Sequence, residues 1–150
     1  MHKWQILTSI CVLLFVCDEV TAGDKEDVLA VWNAVKPAWM TGDIDAAQKL
    51  FSPEFESFEA DGSLLSPLDF DGYRALFAAG LKFNVQSAHS DVTVYGNTAI
   101  LTEYHMRQLT PPGGTLISMA LRATIVVVKQ KGQWKAVHAH ASHLTPTNPQ

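Results

Sequence analysis

The second half of this 150-residue chain is punctuated like a meander. Four runs, 92–95, 98–109, 115–129 and 134–144, are rich in Val, Ile, Thr and aromatic side chains. Such residues suit a pleated, half-buried surface. Between the runs stand Gly96-Asn97, Pro111-Pro112-Gly113-Gly114 and Lys131-Gly132. Connections this short cannot carry a crossover between parallel strands, so the runs are expected to pair antiparallel.

The first half reads differently. Val28, Val31, Trp32, Val35 and Trp39 recur at steps of three and four, which predicts a helix over 24–41 with one apolar stripe. Pro37 removes one internal hydrogen bond and is expected to bend it. Gly42 ends the helix, and Asp43 caps a second, short one over "IDAAQKLF". "EFESFEADG" alternates and closes on Asp-Gly, as a short strand and turn would. "SPLDFDGYRALFAAGLKF" predicts a third helix starting near Asp69 to Asp71. Helices first and a meander afterwards argue for an α+β domain with helices on one face of a curved sheet.

The N-terminus stands apart. "MHKWQILTSICVLLFVCDEVTAG" opens on basic residues and runs apolar from Ile6 to Cys17, with Val20 and Ala22 placed for a cut after Ala22. That predicts a secretory signal peptide over 1–22, too short for an ordinary membrane span. The mature domain then covers 23–145, with 146–150 as a loose tail. It is secreted or periplasmic, and it lacks both Cys11 and Cys17 and with them any disulfide. The chain is 47% hydrophobic and 17% charged with a net charge of −4. That composition excludes a disordered chain, and no block of Lys and Arg marks a nucleic-acid footprint or a membrane surface.

Three of the six histidines close the chain, in "KGQWKAVHAHASHL". Alternation puts His138, His140 and Ser142 on one face of the last strand, with Val137, Ala139 and Ala141 on the other. The hairpin loop sets which face meets which in the preceding strand. A two-residue turn places His138 opposite Ile125. A three-residue loop with a bulge places Arg122 opposite His140 and gathers the polar residues on one face, and this register is the expected one. His-x-His supplies two imidazoles, but zinc needs a third and fourth ligand, His143 points away, and Arg122 repels a cation. No metal and no cofactor are therefore expected.

The segments "AVWNAVKPAWMTGDIDAAQKLFSPEFESFEADG", "YRALFAAG", "GNTAILTEYHMR" and "RATIVVVKQKGQWKAVHAHASHL" resemble the nuclear transport factor 2-like superfamily, and within it the SnoaL-like branch. The resemblance runs from about Asp24 to Leu144. It implies a cone: a curved, mostly antiparallel sheet packed on N-terminal helices, with a pocket at the wide end and a homodimer formed through the outer sheet face. The chain is also similar to the association domain of calcium/calmodulin-dependent protein kinase II, which shares the Trp-x-x-Val-His-x-His-x-Ser pattern. Positions matching that domain's pocket hold His105, Ile125, Ala141, Tyr73 and Leu81. Its three pocket arginines are absent, so its preference for carboxylates does not transfer.

Three functional readings follow. In the first, the cone binds a small, largely apolar molecule through Tyr73, Glu103 and His105. In the second, it isomerises, dehydrates or cyclises a small carbonyl compound, with Glu103 or His105 as the catalytic acid/base, burial raising the Glu pKa, and Tyr73 donating to a carbonyl oxygen. In the third, it is an assembly module with a vestigial pocket. Arg122, His140 and Ser142 join the ligand-binding set if their face lines the pocket, and form a subunit interface if it lies outside. A different register would instead place Glu103 opposite Arg122 as a structural pair. Trp32 and Trp39, at helical spacing, read as core.

Overall fold

A computed structural model describes residues 22–144; all of the expected signal peptide except Ala22, and the C-terminal tail, lie outside them. Three helices, α1 (Ala22–Thr41), α2 (Ile44–Gln48) and α3 (Phe70–Ala78), accompany six strands. These are β1 (Phe51–Phe58), β2 (Ser66–Pro67), β3 (Lys82–Tyr95), β4 (Thr98–Thr110), β5 (Ile117–Gln130) and β6 (Gln133–His143). They form one curved sheet in the order β2-β1-β6-β5-β4-β3. Every pairing is antiparallel except β1 with β6. The fold is the expected α+β class, with the N-terminal helices laid on one sheet face.

Alternation is clearest in β4. From Ala99 to Met106 every second residue is buried and every other one exposed, so Ala99, Leu101, Glu103 and His105 face inward. Ile125 and Val127 of β5, Trp134 and Ala136 of β6, and Val28, Val35 and Trp39 of α1 complete the core beside them. Lys129 ties the N-terminus of α1 to the sheet. Its Nζ lies 2.7 Å from Asp24 Oδ1 and 5.5 Å from the centre of the Trp134 ring.

The last hairpin resolves the register question in an unexpected way. The loop is the two-residue turn Lys131-Gly132, with both φ values positive (50° and 79°), and Gln130 pairs with Gln133. The three-residue loop is therefore incorrect. A two-residue turn alone would put the histidines in the core. A β-bulge corrects this, because Val126 pairs with His138 while Val127 pairs with Ala136, leaving Val137 as the extra residue. Beyond the bulge the faces swap, as one inserted residue requires. Trp134, Ala136, Ala139 and Ala141 then turn inward, and His138, His140 and Ser142 outward. Arg122 pairs with Ser142, and Thr124 with His140.

Two other expectations change. Strand β3 begins at Lys82, ten residues before the expected Val92. Its first part, "KFNVQSAHSD", is polar because β3 is an edge strand with one side free, and that composition hides it. The stretch after α2 is already strand at Phe51, where Phe51 pairs with Ala136, so the second helix stops earlier than "IDAAQKLF" implied.

Gly42 makes the α1–α2 turn at φ +74°, and a Cβ there would sit 2.8 Å from a Phe77 ring carbon. Left-handed strain for a side chain costs about 1 kcal/mol, and the contact with α3 adds to it. Gly42→Ala is therefore expected to destabilise by about 1–3 kcal/mol. A lowered urea midpoint at unchanged slope would show it; an unchanged midpoint would refute the packing of α3 on the turn.

Candidate functional site

Between α1 and the inner face of the sheet lies a cavity of ≈ 110 Å³. Its walls are aromatic, with Trp32 and Trp39 from α1, Phe51 and Phe55 from β1, Tyr73 from α3 and Phe83 from β3. The rings meet edge to face: Trp39 and Tyr73 at 4.7 Å, Phe51 and Phe55 at 4.7 Å. Such pairs are favoured by the ring quadrupole and hold the walls apart at a set angle. Trp32 and Trp39 thus do more than fill the core, since both line the cavity.

One wall is polar. Glu103, His105 and Arg107 are successive inward residues of β4 and all reach the cavity. None of the Glu103 side chain is exposed, so its charge has to be answered inside the protein. Four donors converge on its Oε2. Trp32 Nε1 donates at 2.9 Å, Lys36 Nζ at 2.7 Å, Ser87 Oγ at 3.0 Å and Ser90 Oγ at 2.8 Å. Trp32 and Lys36 stand one helical turn apart on α1, which puts both on one face. Ser87 and Ser90 are three apart on a strand and would ordinarily face opposite ways. A bulge at Ala88, between the pairs Ser87–His105 and His89–Tyr104, brings both to the carboxylate.

Burial alone would push the Glu103 carboxyl up. His105, Lys36 and Ser90 outweigh it and hold the pKa at about 2, below the ordinary 4.5. The expected raised value is thus reversed, because burial here comes with a cation and several donors. Glu103 is an anion at neutral pH, and a weak base.

The other carboxylate oxygen is different. His105 Nδ1 lies 3.1 Å from Glu103 Oε1, and both atoms lack a hydrogen-bond partner among the described residues. Arg107 Nε is a third buried atom without one. Arg107 Nη1 is engaged, donating at 3.2 Å to Glu59 Oε2, and Ser57 Oγ donates at 3.0 Å to Glu59 Oε1. Burial raises the Tyr73 pKa, with the negative charge of Glu59 adding to it, so its hydroxyl remains a donor.

The structure therefore brings Tyr73, Glu103 and His105 to one cavity, with Ile125 and Ala141; Leu81 does not line it. Arg122, His140 and Ser142 do not join them. They lie on the outer sheet face around a shallow groove with His89, Tyr104 and Thr124, where Arg122 Nε donates to Ser142 Oγ at 2.9 Å. Their assignment to the pocket is corrected by the bulge at Val137, which turns that row outward. Glu103 is not paired with Arg122 either: Ala123 stands opposite Glu103, and Arg122 opposite Tyr104. Sequence reasoning missed Lys36 and Arg107. A lysine inside the stripe Trp32–Val35–Trp39 was the available signal for the first, and the parity of β4 for the second. Among the described residues no group of three or more His, Cys, Asp or Glu side chains lies placed to hold a metal ion.

Residues 28–146 match the family model described as a SnoaL-like domain. Solved structures agree on the fold. The hub of calcium/calmodulin-dependent kinase II from S. rosetta is 26% identical, over 83% of this chain and 100% of that one, with a TM-score of 0.64. A nuclear transport factor 2-like superfamily protein from Salmonella enterica is 19% identical over 82% and 92%, TM-score 0.68. A protein of the same family from Streptomyces avermitilis, whose name proposes a dehydratase, is 21% identical over 79% and 95%, TM-score 0.65.

The depressed Glu103 pKa has a consequence for stability. Its contribution is complete above 4.5 and is lost as pH falls from 4.5 toward about 2. The difference corresponds to about 3 kcal/mol. Urea melts across that window are expected to show a loss of about this size in the wild type and a flatter profile in Glu103→Gln. Parallel profiles would mean that the carboxylate is not held this way.

Proposed function

The chain belongs to the SnoaL-like domain family, and on that footing we propose that it is an exported protein that binds one small, largely apolar molecule in the cavity beneath α1. The observation that carries this reading is the set of orphaned polar atoms. Glu103 Oε1, His105 Nδ1 and Arg107 Nε are buried, without hydrogen-bond partners among the described residues, and belong to side chains lining one aromatic chamber. A buried donor or acceptor left unmade costs about 1–3 kcal/mol, and a ligand that satisfies it recovers that energy on binding. Apolar walls with a few convergent polar groups are the usual make-up of a small-molecule site. Export rests on the signal-like 1–22 segment.

Native mass spectrometry of the mature chain, purified without stripping, tests both parts. The expected result is a chain mass beginning after Ala22, together with a retained small organic mass. Retention is expected to fall about tenfold in Tyr73→Ala and in His105→Ala, the cost of roughly one lost hydrogen bond to the ligand. Unchanged retention in the Tyr73, Glu103 and His105 alanine variants would overturn the reading.

A second reading has its own support. Histidine is a usual general acid or base, and His105 stands in the cavity with its Nδ1 3.1 Å from Glu103 Oε1. Isomerisation or dehydration of a small carbonyl compound would use that pair, in line with the name of the Streptomyces avermitilis relative. The role of base falls to His105, since a carboxylate with a pKa of about 2 accepts a proton poorly. Turnover that survives His105→Ala would remove this reading.

Assembly completes the proposal. The outer face carries Phe58, Ile100, Tyr104 and Met106, all exposed, and a homodimer through that face would cover them. The kinase hub relative supports it by its fold. Arg122→Ala and His140→Ala are expected to lower the oligomeric mass at dilute concentration.

A further inference from the structure

The charges in the cavity are already spent on one another, and this narrows what can enter. Lys36 Nζ serves Glu103 and Ser87. The Arg107 guanidinium serves Glu59 through Nη1. Each cation thus has its anion. An anionic ligand would bring a third negative charge beside Glu103 and Glu59, and a cationic one a third positive charge beside Lys36 and Arg107. Burying an unanswered charge is far more costly than burying a neutral polar group.

The atoms left over are complementary. Glu103 Oε1, on an ionised carboxylate, only accepts, and Arg107 Nε–H only donates. His105 Nδ1, 3.1 Å from Oε1, sits close enough for one hydroxyl to touch both, donating to the carboxylate and accepting from the imidazole. Arg107 is the next inward residue of β4 beyond His105, and inward residues on a strand repeat about every 6.8 Å. The walls between are rings, and the space of ≈ 110 Å³ is on the scale of an engineered cavity of about 150 Å³ that accepts benzene.

We propose that the cavity selects a neutral, single-ring molecule with a hydroxyl at one end, bound between Glu103 and His105, and a carbonyl or ether oxygen at the other, bound by Arg107. This rests on the ligand-binding reading above and adds the charge, the size and the two polar ends of the ligand.

The test is calorimetric titration of the mature chain with para-methoxyphenol, which carries both ends. Three relatives of similar size change one end each: para-dimethoxybenzene lacks the hydroxyl, para-cresol lacks the ether oxygen, and para-methoxybenzoate is an anion. Para-methoxybenzylamine supplies the cation. Para-methoxyphenol is expected to bind at least about tenfold tighter than each of the four, one hydrogen bond or one buried charge deciding each step. Arg107→Lys keeps the charge that faces Glu59 but removes Nε. It is expected to abolish the preference over para-cresol while leaving para-cresol binding unchanged.

Equal affinity for para-methoxyphenol and para-dimethoxybenzene overturns the hydroxyl end, and an unchanged preference in Arg107→Lys overturns the Arg107 end. Tighter binding of the benzoate or the amine overturns neutrality. If no probe binds but the purified chain retains an organic mass, this ligand class fails and the binding reading stands. If no probe binds and no mass is retained, both fail.

Discussion

A fully buried carboxylate organises this molecule. Glu103 has no exposed side-chain surface, so its negative charge has to be met by the protein. The donors come from two elements outside its own strand: Trp32 and Lys36 from α1, and Ser87 and Ser90 from β3. The two bonds from α1 fix a distance between helix and sheet. The position of α1 over the sheet, and with it the roof of the cavity, follows from satisfying one oxygen atom. Leaving one partner of a buried pair uncompensated costs about 3–5 kcal/mol, a large share of the 5–15 kcal/mol by which a domain is ordinarily stable.

Two single-residue bulges make the arrangement possible. Strand alternation is strict, so a β-sheet cannot by itself put Ser87 and Ser90 on one carboxylate, or bury Trp134 and Ala136 while exposing His138 and His140. The extra residue at Ala88 does the first and the one at Val137 does the second. Both changes reassign faces partway along a strand without breaking the pairing on either side. The inner face remains a continuous surface for the helix, and the polar row of β6 is delivered to the outside.

Much of this was legible in the sequence. The stripe of α1, the parity of β4 and the turn at Gly96-Asn97 follow from periodicity and turn chemistry, which act locally. So did the joint placement of Glu103 and His105, two apart on one strand. What escaped depended on distant partners. The edge strand from Lys82 is polar because its free side pairs with no other described strand. The bulge at Val137 leaves no residue type as a signature, being a mismatch between two strands. The pKa of Glu103 is lowered by His105 beside it and by Lys36, 67 positions away in the chain, and a reading from burial alone gives the opposite sign. Arg122, His140 and Ser142 were rightly grouped on one face, but the face was open to either side until the bulge fixed it.

The two oxygens of Glu103 divide the work. Oε2 is saturated by four donors and belongs to the architecture. Oε1 has no hydrogen-bond partner among the described residues and sits on a side chain that lines the cavity. A buried ion pair is often no more stabilising than well-packed apolar residues of the same volume, so stability alone is a poor reason to keep one here. A ligand contact is a better reason. To present a bare acceptor inside an aromatic chamber at neutral pH, a carboxyl group must remain ionised where burial favours its neutral form. Lys36 and Ser90 at Oε2, with His105 beside Oε1, hold it ionised. Local rules are broken at functional sites and compensated nearby, and the lysine in the apolar stripe of α1 is the compensation that this carboxylate requires.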